Sequence, residues 1–269
     1  KIHPFVSGNK WFKLKYNLIE AKKQGFNTLL TFGGAYSNHI SATAFAAQEK
    51  GINSIGIIRG EEHLPLNPTL RFAIDNGMKL YYIIRSYYKQ KTSANFLEDL
   101  KNKFGNFYLI PEGGTNNLAI QGAKEILGKN DIQDYICCPV GTGGTIAGII
   151  NASNDQQIVI GFPAIKGFEQ LEGEINNWTN STNCIFINDY VGNGYAKISK
   201  DLVDFINEFN ARHNIPLDTI YTGKMMMGIL DLVDKDYFPK GSSILAIHTG
   251  GLQGNKGMSE RLGISLPLE

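Results

Sequence analysis

The sequence predicts an α/β protein of open, mostly parallel sheets flanked by helices, on three observations. Apolar runs of strand length alternate with helical patterns along the chain, several of those runs end in glycines, and neither an internal repeat nor a low-complexity linker interrupts them. The 269 residues suit one large domain or two lobes. Ligands are then expected at the carboxyl ends of the strands, where such sheets open.

Residues 10 to 24 read as a helix with two apolar stripes, one of Trp11, Leu14, Leu18 and Ala21, the other of Phe12, Tyr16 and Ile19. On a wheel at about 100° per residue Lys10 falls about 40° from Leu14 and about 20° from Ala21, at the margin of an inward stripe, while Lys13 and Lys23 point elsewhere. "NTLLTFGG" (27–34) is a short buried strand ending in glycines, and "SATAFAAQEKG" (41–51) a small-residue helix. "INSIGIIRG" repeats the strand, "NPTLRFAIDNG" is a helix with an Asn cap and a Gly stop, and "KLYYII" is a third strand. "NFYLIPEGG" gives a strand and glycine turn, "NLAIQGAKEILG" a helix, and "DYICCPVGTGGTIAGIINAS" a strand, loop and helix. "QQIVIGFPA", "DLVDFINEFNARHN" and "SSILAIHTGG" add strand, helix and a final strand, with a short strand expected to end at Tyr221.

Composition narrows the function classes. With 26 Lys+Arg against 25 Asp+Glu, nothing marks a nucleic-acid or membrane surface, so the expected partner is a small molecule. Three cysteines, two of them adjacent, fit neither a disulfide framework nor a zinc site. No apolar run approaches a membrane span and no signal-peptide core is present, which makes the cytoplasm the expectation. The first residue is Lys1, so the natural beginning is expected to lie upstream. The 30 glycines, about 11% of the chain against a usual ~7%, belong in turns and ligand loops.

Two loops carry chemistry. In "PVGTGGTIAG" an apolar strand runs into Gly141, Thr142, Gly143, Gly144 and Thr145 and a helix begins at once, offering bare N–H groups and a positive dipole end to a phosphate. The loop is neither a dinucleotide fingerprint nor a P-loop; a plain glycine-rich turn is the alternative. In "TFGGAYSNHISA", Ser37, Asn38 and His39 crowd a helix start suited to a carboxylate. There Ser37 or Asn38 can equally be just an N-cap, and His39 a packed histidine. Lys10 fits either a snorkelling surface lysine or a desolvated lysine able to form a Schiff base. A Schiff-base lysine beside a phosphate cradle describes pyridoxal phosphate. Tyr190, Tyr195 and Tyr221 lie beside glycines, where a phenol can move a proton or stack on a ring, but most of the twelve tyrosines must be structural.

Taken together and in order, "SGNKWFKLKYNL", "GGAYSNHISATA", "IPEGGTN", "GTGGTIAG", "GYAKIS", "YTGKMMMGIL" and "HTGG" resemble the 1-aminocyclopropane-1-carboxylate deaminase and D-cysteine desulfhydrase family, over nearly the whole chain. The resemblance implies a two-lobed fold type II pyridoxal-phosphate enzyme like the tryptophan synthase β chain. Residues 1–27 and 113–269 would form a large cofactor domain, 28–112 a small one, and two chains a homodimer. It makes Lys10 the Schiff-base lysine and proton carrier. Ser37, Asn38 and His39 become the substrate-carboxylate loop, with Asn38 also beside the cofactor's phenolic oxygen, and Gly141 to Thr145 the phosphate loop. Tyr195 and Tyr221 become active-site tyrosines that position substrate and take part in proton transfer or nucleophilic attack.

Within the family, deaminases carry Glu after the tyrosine of "YxGK" and Leu in place of the threonine of "HTGG". Thr222 and Thr249 stand there instead and resemble the desulfhydrase pattern, where a neutral partner leaves the cofactor ring a milder electron sink. The expected reaction is β-elimination from a small amino acid, D-cysteine first. The alternatives are the deaminase reaction, a non-catalytic cofactor-binding relative, and a nucleotide-binding α/β enzyme using "GTGGT".

Overall fold

The computed structural model describes residues 3, 5, 6, 8–164, 167–179, 183–192 and 198–268. After a first helix, α1 (Asn9–Lys23), the chain alternates β1 (Thr28–Gly33), α2 (Asn38–Glu49), β2 (Asn53–Arg59), α3 (Pro68–Asp75) and β3 (Met78–Ile83). Two helices, α4 (Arg85–Tyr88) and α5 (Ala94–Phe104), lead to β4 (Tyr108–Ile110) and α6 (Asn117–Ala123). The second half runs β5 (Tyr135–Val140), α7 (Gly144–Ala152), β6 (Ile158–Pro163), α8 (Glu169–Trp178) and β7 (Cys184–Phe186). It closes with α9 (Lys200–His213), α10 (Thr222–Asp234), β8 (Ile244–Ala246) and α11 (Gln253–Leu262).

The strands form two four-stranded sheets, ordered β3-β2-β1-β4 and β7-β6-β5-β8, and every pairing is parallel. The α/β class with helix-flanked parallel sheets is therefore the observed one. Each sheet winds outward on one side and then returns to the other side of its starting strand, so each has a switch point, between β1 and β4 and between β5 and β8. A crevice opens outside the carboxyl ends of strands at such a point. The segments leaving those ends are Gly34–Ser37 and Pro111–Gly114 in one sheet, and Gly141–Gly143 and Ile247–Leu252 in the other. The four glycine loops singled out in the sequence are thus the four loops that the winding brings to two crevices.

The inner strands β1, β2, β5 and β6 are buried along nearly their whole length, as expected of parallel strands covered by helices on both faces. Cys138, with Ile136 and Val140, packs toward Ile146 and Ile149 of α7, whereas Cys137 packs with Ile160, Met225 and Ile229 of the opposite layer. Strand alternation sends the adjacent thiols to opposite faces, and all three cysteines are free. Burial pushes the Cys137 thiol up to about 12 and the Cys138 thiol further still, so both behave as apolar core groups.

Helix α1 packs against α6, where Gly122 permits close approach: a methyl group there would sit 2.0 Å from the Phe12 carbonyl oxygen. The expected short strand ending at Tyr221 does not form. The buried Asp218 carboxylate accepts hydrogen bonds from the N–H groups of Ile220, Tyr221 and Thr222 (2.9, 3.0 and 2.7 Å), which turns the chain into α10.

Candidate functional site

The glycine loop after β5 has the form of an anion cradle. Gly143 sits at φ 77°, a left-handed conformation that favours glycine, and α7 starts at the next residue. A methyl group on Gly141 would lie 3.1 Å from the Tyr221 ring, and one on Gly144 2.9 Å from Thr115 and 3.2 Å from Lys13 Nζ. Thr142 and Thr115 hydroxyls share a 2.5 Å hydrogen bond, and Asn9 Nδ2 donates to Thr145 Oγ1 at 2.8 Å.

Lys13 corrects the sequence reading. It points inward, at 1% exposure, and its Nζ donates to Thr115 Oγ1 at 2.9 Å and more weakly to Thr142 Oγ1 at 3.4 Å. Burial, then the charge of Lys10, pushes its pKa well down. No carboxylate among the described residues pairs with it. The hydrophobic periodicity missed it because the buried face of α1 is Lys13, Leu14, Asn17 and Ala21, half of it polar. The available signal was spacing: Lys13 follows Lys10 by three residues, on a neighbouring face of one helix.

Lys10 is half-buried and lines a small pocket with Asn38, Ser41, Thr249, Gly251 and Gln253. Burial lowers its pKa to about 8. The start of α1 is fastened to the loop after β8: Asn9 N donates to the Thr249 carbonyl at 3.3 Å, and Gly8, at φ 58°, leaves no room for a side chain against that oxygen. This close approach explains the glycine before Asn9-Lys10 and carries Lys10 to the second crevice.

Ser37 caps α2, accepting from the Ile40 N–H at 3.3 Å, and so the cap reading holds for it. Asn38 follows in the pocket, its Oδ1 accepting from Gln253 Nε2. His39 departs from the expected substrate loop. Its imidazole is turned into the core, 2.8 Å from Thr31 Oγ1 and 3.5 Å from Thr43 Oγ1, with Gly114 packed against it. Thr31 donates its own proton to the Ile110 carbonyl, so it accepts from His39 Nε2. Burial, then the charges of Lys10 and Lys13, keeps the ring neutral, with its pKa well below the usual value. Such a ring supports the loop from beneath; its side chain does not face the pocket.

Tyr221 lies against Gly141, its hydroxyl 3.2 Å from where a side chain there would begin. Thr222 is fully buried and its hydroxyl donates to Asp218 Oδ1 at 2.7 Å while accepting from the Asp218 N–H at 2.8 Å. Thr249 is 8% exposed and lines the Lys10 pocket. Tyr195 lies outside the described residues. Besides Lys13, sequence reasoning missed Thr115, Asp218 and Gln253, of which only Asp218 left a local mark, as a helix-cap residue four positions before Thr222.

The donor set fits pyridoxal phosphate. A buried lysine amine with no counter-ion among the described residues, a helix N-terminus and a glycine cradle meet at one place and suit an anion, while a lysine with a lowered pKa stands one turn away on the same helix.

Comparison with known proteins agrees. A family model described as "Pyridoxal-phosphate dependent enzyme" matches residues 2–250. A Pyrococcus abyssi protein provisionally named 1-aminocyclopropane-1-carboxylate deaminase is 31% identical, over 93% of this chain and 81% of its own. The mitochondrial bifunctional D-cysteine desulfhydrase/1-aminocyclopropane-1-carboxylate deaminase of Arabidopsis thaliana is 31% identical over 93% of this chain and 70% of its own. The crystal structure of a homologue of that deaminase superposes with a TM-score of 0.82 at 27% identity, covering 95% of this chain and 83% of its own. The chain belongs to the pyridoxal-phosphate dependent enzymes, in the family of the 1-aminocyclopropane-1-carboxylate deaminases and D-cysteine desulfhydrases.

Proposed function

We propose that this protein eliminates the β-substituent of a small amino acid, with D-cysteine as substrate. D-Cysteine and one water would give pyruvate, ammonia and hydrogen sulfide. The single observation that carries the site is the pairing of Lys10 and Lys13 on α1, the first with its pKa lowered to about 8 and the second buried without a carboxylate beside the glycine cradle.

Lys13 Nζ, the hydroxyls of Thr142 and Thr145 and the N–H groups starting α7 would hold the cofactor's phosphate. Lys10 Nζ would take its aldehyde carbon, and Asn38 would stand on the side of its ring oxygen. When bound, the cofactor supplies an electron sink for the pair left on Cα. Ser37 and the first N–H groups of α2 hold the substrate carboxylate. Lys10 Nζ, at the reacting end of the site, would remove the Cα proton. Tyr221, seated on Gly141, and Tyr195 orient the substrate. Thr249 would contribute a hydroxyl where a deaminase of this family has Leu, while the Thr222 hydroxyl, standing where such a deaminase has Glu, is committed to Asp218 as both donor and acceptor. A cofactor ring given no proton there would be a milder electron sink, sufficient to expel a good leaving group.

A second reading, 1-aminocyclopropane-1-carboxylate deamination, is favoured by the names of the relatives. One assay separates the two: purified protein with added pyridoxal phosphate is offered D-cysteine, L-cysteine and 1-aminocyclopropane-1-carboxylate, and keto-acid product is measured. Pyruvate from D-cysteine alone supports elimination, and 2-oxobutyrate from the cyclopropane selects deamination. Lys10→Ala should abolish the visible cofactor band and all turnover; full activity in that variant would sink the mechanism.

A further inference from the structure

Asn38 sits between two lobes' worth of partners, and its orientation has a visible cause. A primary amide is nearly symmetric in shape, so which end it shows a ligand depends on what holds the other end. Gln253, the first residue of α11, donates from Nε2 to Asn38 Oδ1. The Gln253 carbonyl accepts in turn from the Thr69 hydroxyl at 2.9 Å, and Thr69, on α3, is buried at 1% exposure. With its oxygen taken, Asn38 lays Nδ2 along Gly251, 2.7 Å from where a side chain there would begin, inside the pocket that Lys10 also lines.

We propose that Gln253, oriented by the Thr69 hydroxyl, is a positioning residue that turns the N–H end of Asn38 toward the ring oxygen of the cofactor. This rests on the placement of Lys10 and Asn38 against pyridoxal phosphate argued above. A donor aimed at that oxygen stabilises its anionic form, and the proton it shares with the Lys10 nitrogen then leaves at lower pH. An amide turned the other way would set oxygen against oxygen and hold the proton longer. The charged groups facing this amide among the described residues are Lys10 on α1 and Asp218 before α10, whose carboxyl carbon is 3.3 Å from the same point on Gly251. Arg261 of α11 lies over the Tyr36 ring, and His39 is neutral and turned away. None of these is altered by the variants below.

The experiment titrates the visible band of the pyridoxal-phosphate-loaded protein against pH, with a urea midpoint recorded for each variant. Gln253→Glu offers only acceptors and forces Asn38 to reverse, so the band's titration midpoint should rise by about one unit. Gln253→Met and Thr69→Val add no charge and should move it the same way by less, while Thr69→Ser, which keeps the hydroxyl, should leave it at the wild-type position. Thr69→Val preserves shape and guards against a Gln253 variant that does not fold. If Gln253→Met and Thr69→Val both titrate like wild type, the relay is wrong, and a rise confined to Gln253→Glu would be the added charge alone. Absence of any band from the wild-type protein would instead remove the site assignment itself, and the relay with it.

Discussion

Lys10 and Lys13 stand about one helical turn apart on α1 and differ in burial, the first half-buried and the second fully buried. Lys10, with its pKa lowered to about 8 against an ordinary 10.5, is protonated below that pH and neutral above it. Only the neutral amine attacks an aldehyde, so the rate at which the cofactor-free protein develops its visible band should increase with pH and level off above about 8. Stopped-flow absorbance across pH 6 to 10 checks this. Lys13 predicts a trade between folding and binding. Removing a buried amine whose charged form has no counter-ion among the described residues relieves desolvation, so cofactor-free Lys13→Met should be more stable than wild type, by about 1 kcal/mol or more in urea denaturation. The same change should weaken pyridoxal phosphate by roughly tenfold to a hundredfold, the worth of a charge-assisted hydrogen bond, and leave phosphate-free pyridoxal unaffected. Equilibrium titrations with both ligands measure the difference.

At the level of elements, the strands and glycine loops were readable because their pattern is local: an apolar run with covered faces, then a residue type that admits φ above zero or close approach. Helices α4, α5, α8, α10 and α11 and strand β7 went unread. In α10, "YTGKMMMGIL" is apolar nearly all round, and its start depends on Asp218 satisfying three N–H groups, a local cap that hydrophobic periodicity does not register. Within the site, Lys10 stood out as a lysine at a helix start, Asn38 and the Gly141–Thr145 loop as residue types around helix starts, and Thr249 only through the family resemblance, whereas Lys13 and Gln253 acquire meaning only from neighbours 102 and 215 positions away in sequence. Side-chain direction likewise escaped for His39, whose partners Thr31 and Thr43 are ordinary core residues until the helix is docked. The contact between α1 and α6 sets the depth at which both lysines sit. Gly122→Ala would drive a methyl group onto the Phe12 carbonyl, and overpacking of this kind costs ~2–3 kcal/mol. A lower urea midpoint and weaker cofactor retention are expected together.

Across the whole molecule, the two switch points collect groups from both halves of the chain: Lys10 and Lys13 from α1, Asn38 from the first sheet, Thr142, Thr145 and Thr249 from the second. A ligand touching all of them binds only the folded state, so pyridoxal phosphate at one hundred times its dissociation constant should raise the unfolding free energy by about 2.7 kcal/mol. Chemical denaturation with and without the cofactor checks this, and Lys13→Met should need a correspondingly higher concentration for the same gain. The placement of both lysines on α1 also makes that helix a ruler. Three residues of α-helix advance ~4.5 Å and turn through ~300°, and neither quantity can be adjusted without unwinding the helix. If, as proposed, Lys13 holds the charged end of the cofactor and Lys10 its reactive carbon, the helix fixes the spacing of their backbones, and a cofactor homologue longer by a single methylene should be held at one end and reach Lys10 less well at the other, a difference that competition against pyridoxal phosphate would measure.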